Sequence, residues 1–259
     1  AELLSAELAE REIPDGGIFA LELCWRPLAT TDRPLTVLVH LIGPENALIA
    51  DRRTYPGLGK YPTTNWQPGV PFCDTVRVRI RQRPPRTLVY RVEVSLLDAQ
   101  AGRRLTAFDS QAEPLGAAFV GSLRLAVDQP PPAAGPAANG DAIQLLAAEL
   151  NPIWPPGVEQ RLELTWRANA DLSQDYQVYV HLRRPGGGAI VAQADGPPLG
   201  GWYPTSWWPV GETISEQRAF PLPAGTPPGQ YELVAGFYDL ATGERLGEGH
   251  FLGAVEVPS

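Results

Sequence analysis

An all-β fold built from two similar units follows from three features of this sequence: a long internal repeat, period-2 alternation of apolar residues, and turn residues between the apolar runs. The repeat is the most informative. Leu21-Glu22-Leu23-Cys24-Trp25-Arg26 returns as Leu162-Glu163-Leu164-Thr165-Trp166-Arg167, and Val37-Leu38-Val39-His40-Leu41 returns as Val178-Tyr179-Val180-His181-Leu182. Tyr61-Pro62-Thr63 and Trp66 return as Tyr203-Pro204-Thr205 and Trp208, and Asp98, Gly102, Arg104 and Leu105 return as Asp239, Gly243, Arg245 and Leu246. A period this long is a duplicated folding unit rather than a solenoid repeat. The expected units are residues 1–127 and 141–259, each of ordinary domain size. Between them, 128–140 is rich in Pro and Ala, a semi-rigid polyproline II spacer.

Alternation places the elements. Leu162, Leu164 and Trp166 point inward while Glu163, Thr165 and Arg167 point out; Val178, Val180 and Leu182 point inward, opposite Tyr179 and His181. The first unit reads as strands near 19–26, 35–42, 47–53, 73–81, 87–98, 103–109 and 117–127. In the second, the last two strands cover 231–239 and 244–257, with a break near Gly253. Ala1 to Arg11 has helical propensity, but its counterpart, Ile143 to Leu150, stops at Asn151-Pro152, so both segments are read as opening strands. With 26 Gly and 28 Pro, largely at turns, each unit is expected to be an antiparallel sandwich of two sheets. Asp239 to Arg245 and Asp98 to Gly102 are hairpin turns capped by their aspartates. Pro227-Pro228-Gly229-Gln230-Tyr231 has the form of the tyrosine corner of immunoglobulin-like sandwiches.

Composition narrows the function. With 44% hydrophobic and 19% charged residues the chain is globular, and no apolar run is long enough to span a membrane. A net charge of −8 and the lack of a basic stripe argue against nucleic acid. Arg77, Arg79, Arg81, Arg83 and Arg86 alternate with Val76, Val78 and Ile80, as the solvent face of one strand would. The absence of Met and of a signal peptide suggests a segment whose targeting or anchor lies in flanking sequence. Cys24 and Cys73 both fall out of phase with the core, on strands that could be neighbours. A cross-strand disulfide or two separate thiols both fit, so the redox compartment stays open.

The richest stretch is Gly200 to Gly211, with Trp202, Tyr203, Trp207 and Trp208 in seven residues. Flat apolar faces on a loop suit a sugar ring, so Trp202, Trp207 and Tyr203 are the candidate ligand residues. Comparison of the copies divides them. Tyr203, Pro204, Thr205 and Trp208 have equivalents and are expected to pin the loop, whereas Trp202 and Trp207 stand where the first unit has Lys60 and Asn65. Those two are therefore the foremost choice for ligand contact. His40 and His181 occupy one equivalent rim position, without the companions a metal needs, and read as hydrogen-bonded structural histidines; His250 reads as surface. Asp51, Asp195, Asp98 and Asp239 lack the spacing of a Ca²⁺ loop and are better explained by turn capping. There is no G-x-S-x-G, H-E-x-x-H, P-loop or dinucleotide-binding motif, so no catalytic residue, metal or cofactor is expected.

Trp166-Arg167, Val178 to Leu182, Val191 to Pro198, Gly201 to Ser206, Pro209 to Glu212, Pro227 to Tyr231, Gly236 to Asp239 and Thr242 to Leu246 together carry a resemblance. The chain resembles uncharacterised immunoglobulin-like β-sandwich modules appended to bacterial multi-pass membrane proteins of the glycosyltransferase (mannosyltransferase-like) type. The second unit matches over nearly its full length; the first matches loosely, with Arg52-Arg53-Thr54-Tyr55 and Pro84-Pro85-Arg86 departing from the pattern. The resemblance implies an extracytoplasmic accessory role and carries over no catalytic residues. The leading expectation is a non-catalytic tandem module that spaces or binds envelope glycan or a protein partner. A purely structural repeat and a carbohydrate-active enzyme with a carboxylate pair from distant segments are the alternatives.

Overall fold

A computed structural model describes residues 1–14, 16–81, 84, 86–127 and 141–259; Arg83 and the spacer at 128–140 fall outside the described residues. The chain divides into two compact units, Ala1–Asp128 and Gln129–Ser259. Among the described residues there is no α-helix, only short 3₁₀ turns between strands.

In the first unit the strands are β1 (Glu2–Leu8), β2 (Glu12–Pro14), β3 (Ile18–Arg26), β4 (Leu35–Ile42), β5 (Leu48–Thr54), β6 (Phe72–Arg79), β7 (Leu88–Asp98), β8 (Arg103–Arg104), β9 (Ala107–Phe108), β10 (Pro114–Leu115) and β11 (Ala118–Ala126). A three-stranded sheet runs β1-β3-β6, and a larger one runs β2-β11-β7-β4-β5. In the second unit they are β12 (Ile143–Glu149), β13 (Glu159–Ala168), β14 (Tyr176–Arg183), β15 (Ile190–Gln193), β16 (Thr213–Pro221), β17 (Gly229–Asp239) and β18 (Arg245–Val257). Its sheets run β12-β13-β16 and β15-β14-β17-β18.

The alternating residues make the cores. Leu21, Leu23 and Trp25 on β3 are buried, as are Leu162, Leu164 and Trp166 on β13; Val37, Val39 and Leu41 on β4 match Val178, Val180 and Leu182 on β14. In the second unit Trp166 joins the two sheets, its ring edge-on to Phe237 of β17 at 4.8 Å. At about 25 cal/mol per Å² of apolar area, tryptophans and leucines buried at this density dominate the stability of such a layered core.

Several expectations change. The strand expected at 103–109 is only the pair of two-residue bridges β8 and β9. The break expected near Gly253 is a bulge: Leu233 faces Gly253 and Val234 faces Phe251, leaving Leu252 unpaired. The sheets are not wholly antiparallel. After β1 the chain crosses to the larger sheet, where β2 pairs in parallel with β11, and Ile153 makes the corresponding parallel bridge to Glu256. Short apolar runs do not encode the direction of their partner, so this crossing is invisible to periodicity.

Cys24 and Cys73 lie directly opposite each other on β3 and β6, Cα atoms 4.0 Å apart, and are joined in a disulfide. The hairpin aspartates cap as expected. Asp98 Oδ1 accepts from the Gln100 and Ala101 amides at 3.0 and 2.9 Å; Asp239 Oδ1 accepts from the Ala241 amide at 2.7 Å. These amides hold both carboxyls below the usual range.

Among the described residues, the tyrosine corner is closed at Tyr231 and not at its equivalent. Tyr231 is fully buried and its hydroxyl donates to the Pro227 carbonyl at 2.7 Å. The equivalent Tyr90 is as deeply buried, but its hydroxyl has no hydrogen-bond partner among the described residues. Burial pushes its pKa from 10.0 up to about 12. Tyr231→Phe is therefore expected to cost about 1 kcal/mol and Tyr90→Phe next to nothing. With its folded pKa raised, neutral Tyr90 contributes stability that is intact below pH 10 and lost as pH climbs to about 12. Urea unfolding across that range, with Tyr90→Phe flattening the loss, checks both statements. Replacing Cys24 and Cys73 by Ser opens a loop of 49 residues and should destabilise the first unit by about 4 kcal/mol in the same assay.

Candidate functional site

The loop of the second unit begins with a left-handed turn. Leu199 and Gly200 have φ of 49° and 64°, and the first unit repeats this at Gly57 and Leu58 with 60° and 53°. A leucine in that conformation costs roughly 1–2 kcal/mol, so something must hold it. A carboxylate does. Glu216 on β16 accepts from the Leu199 amide at 3.1 Å, and Asp74 on β6 accepts from the Gly57 amide at 2.7 Å.

Glu216 is 3% exposed. It sits between Ile214 and Phe220 in the inward phase of β16, where alternation favours an apolar residue. Its charge is met by the Trp166 indole N–H at 3.0 Å and by Arg218 at 3.1 Å, as well as by the Leu199 amide. One buried anion thus ties the central tryptophan, the strand β16 and the start of the aromatic loop together.

Past the turn, the same residues pin both loops. Thr205, fully buried, accepts from the Tyr176 amide at 2.8 Å and donates to the Gln174 carbonyl at 3.1 Å. Thr63 does the same with Leu35 and Arg33, both at 2.8 Å. The Trp208 indole donates to the Tyr203 carbonyl, and the Trp66 indole to the Tyr61 carbonyl. Tyr203 is 1% exposed and its hydroxyl donates to Glu212. Its ring therefore offers no face to a ligand, which removes it from the candidate set. Trp202 and Trp207 remain half-buried on this fixed frame.

The histidines are not on the solvent rim where alternation places them. His40 and His181 are each 9% exposed. Arg104 lies 3.1 Å from His40 Nδ1, and burial together with this guanidinium lowers the His40 pKa. His181 faces Asp195 at 3.4 Å and stacks beside Tyr179, ring centres 4.8 Å apart. Tyr179 is itself 2% exposed because it lies across glycines: a Cβ on Gly236 or Gly249 would come within 2.5 Å of its hydroxyl. Arg245 then covers its ring at 4.7 Å. Gly236 directly opposite Tyr179, with Gly249 close to its hydroxyl, leaves room for this covered face. His250, expected at the surface, is half-buried 5.9 Å from the Trp166 ring.

Among the described residues, the acid and thiol groups close enough to share a metal are Glu22, Cys24 and Cys73, and the disulfide takes both sulfurs. Comparison with protein-family models and with characterised proteins finds no match to this chain. Removing this carboxylate by Glu216→Ala leaves the Trp166 N–H without its acceptor and Arg218 with its longer bonds to the Gly196 and Pro197 carbonyls at 3.4 Å. The expected cost is about 3–5 kcal/mol in chemical unfolding followed by tryptophan fluorescence.

Proposed function

We propose that the chain is a non-catalytic, extracytoplasmic tandem module of two duplicated immunoglobulin-like sandwiches that binds or spaces envelope glycan, with Trp202 and Trp207 as the sugar-contacting residues. The observation that carries this reading is the contrast between two otherwise matching loops. Both have the left-handed turn, the threonine bridge and the buried tryptophan. Only the second places half-buried indoles where the first has exposed Lys60 and Asn65. A loop frame already fixed by hydrogen bonds presents such rings with little ordering cost on binding.

Further support comes from the strand orders. β1-β3-β6 is matched by β12-β13-β16, and the opening strands bulge at equivalent places, between Leu3 and Ser5 and between Leu145 and Ala147. The tyrosine corner at Tyr231 favours the immunoglobulin-like reading. The disulfide suits an oxidising compartment. No described helix is long and apolar enough to cross a membrane, so any tether to a membrane-bound transferase-like partner would come through flanking sequence.

Calorimetric titration of manno-, chito- and cello-oligosaccharides against the full chain tests the reading. Binding weakened about tenfold or more by Trp202→Ala/Trp207→Ala, with the β-sheet circular dichroism of the folded chain retained, is the expected result. Equal affinity for wild type and variant removes the loop from the site.

A further inference from the structure

The first unit has a groove of about 260 Å³ between β5 and β6, lined by Ile18, Asp51, Arg52, Arg77, Arg79 and Arg81. Its charge follows from the pleat. Val76 and Val78 on β6 are buried, which turns Arg77 and Arg79 outward on one face, about 7 Å apart along the strand. Across the sheet their partners on β3 are Ala20 and Ile18, neither of them charged. Arg52 enters from β5, beside Asp51.

Four guanidiniums thus share the groove with a single carboxylate. Among the described residues, none of the four is within ion-pair distance of an acid. In a chain of net charge −8 this concentration of positive charge is local and exceeds the one carboxylate beside it. The fold does not require it. In the second unit the register positions matching Arg77 and Arg79 hold Ala219 and Pro221.

We infer that this groove binds an acidic glycan, its arginines forking onto successive carboxylate, sulfate or phosphate groups of one chain. Guanidinium pairs two N–H donors with two anionic oxygens, and two such forks at strand spacing match a repeating anion better than a lone one. Ile18, 46% exposed, gives the groove an apolar floor for a sugar face. No aromatic ring lines the groove, so stacked bases have no platform, and the overall negative charge opposes a long nucleic acid. The inference shares with the proposed function only the class of carrier, a glycan; the charge argument stands on the arginines.

The test titrates the full chain with hexameric oligogalacturonate at low salt, comparing wild type, Arg77→Gln/Arg79→Gln and Trp202→Ala/Trp207→Ala. Both arginines are exposed, so the melting temperature should be unchanged. The expected result is binding that falls steeply with salt, about tenfold loss per arginine removed, and no change in the tryptophan variant. Equal binding by wild type and the arginine variant, or no binding by wild type, overturns the inference. So does competition by inorganic phosphate at equal charge, which would mark a simple anion site, or tighter binding of oligothymidylate of the same length. Loss in the tryptophan variant alone overturns the groove while leaving the aromatic loop in place.

Discussion

A carboxylate bonded to the left-handed turn of each loop, fully buried in the second unit, is the constraint on which the rest of the architecture depends. Inside the second unit an indole, a guanidinium and a backbone amide all point at the Glu216 carboxylate. Satisfying it fixes the ring plane of Trp166, the end of the core, and the left-handed turn that starts the aromatic loop. Asp74 plays the shorter version of this part in the first unit, holding the turn at Gly57. Core and loop are therefore set by one electrostatic requirement rather than by two separate packing problems.

Much of the scaffold was legible from period and repeat. Trp25, Trp166 and their leucine neighbours lie inside as alternation demands, and the pinning role of Thr205 and Trp208 followed from their presence in both copies. What escaped was decided by contacts distant in sequence. Nothing local announces that Leu199 takes a positive φ, because the reason is a glutamate 17 residues later. Alternation says which face of β14 His181 occupies but not that Tyr179, Asp195 and a glycine track cover that face. Tyr203, a candidate platform that its counterpart Tyr61 already marked as an anchor, is buried beside Trp208 and bonded to Glu212, as an anchor would be.

The units also differ in how they resist disorder. The first holds its small sheet with a disulfide between β3 and β6, where the second has the hydroxyls of Thr165 and Ser215 in contact at 3.1 Å. The second closes its tyrosine corner, and in the first the Tyr90 hydroxyl has no partner among the described residues. A covalent staple in one and hydroxyl hydrogen bonds in the other are two routes to holding similar strand orders.

The parallel contact between the ends of each unit has a mechanical meaning. In the first unit the early strand β2 lies alongside the last strand β11 and points the same way; in the second, Trp154 and Pro152 exchange backbone bonds with Glu256. Tension applied through the two termini drags such neighbours past each other, loading their hydrogen bonds together instead of one at a time. Pulled at its ends, a unit wired in this way would load these bonds in shear.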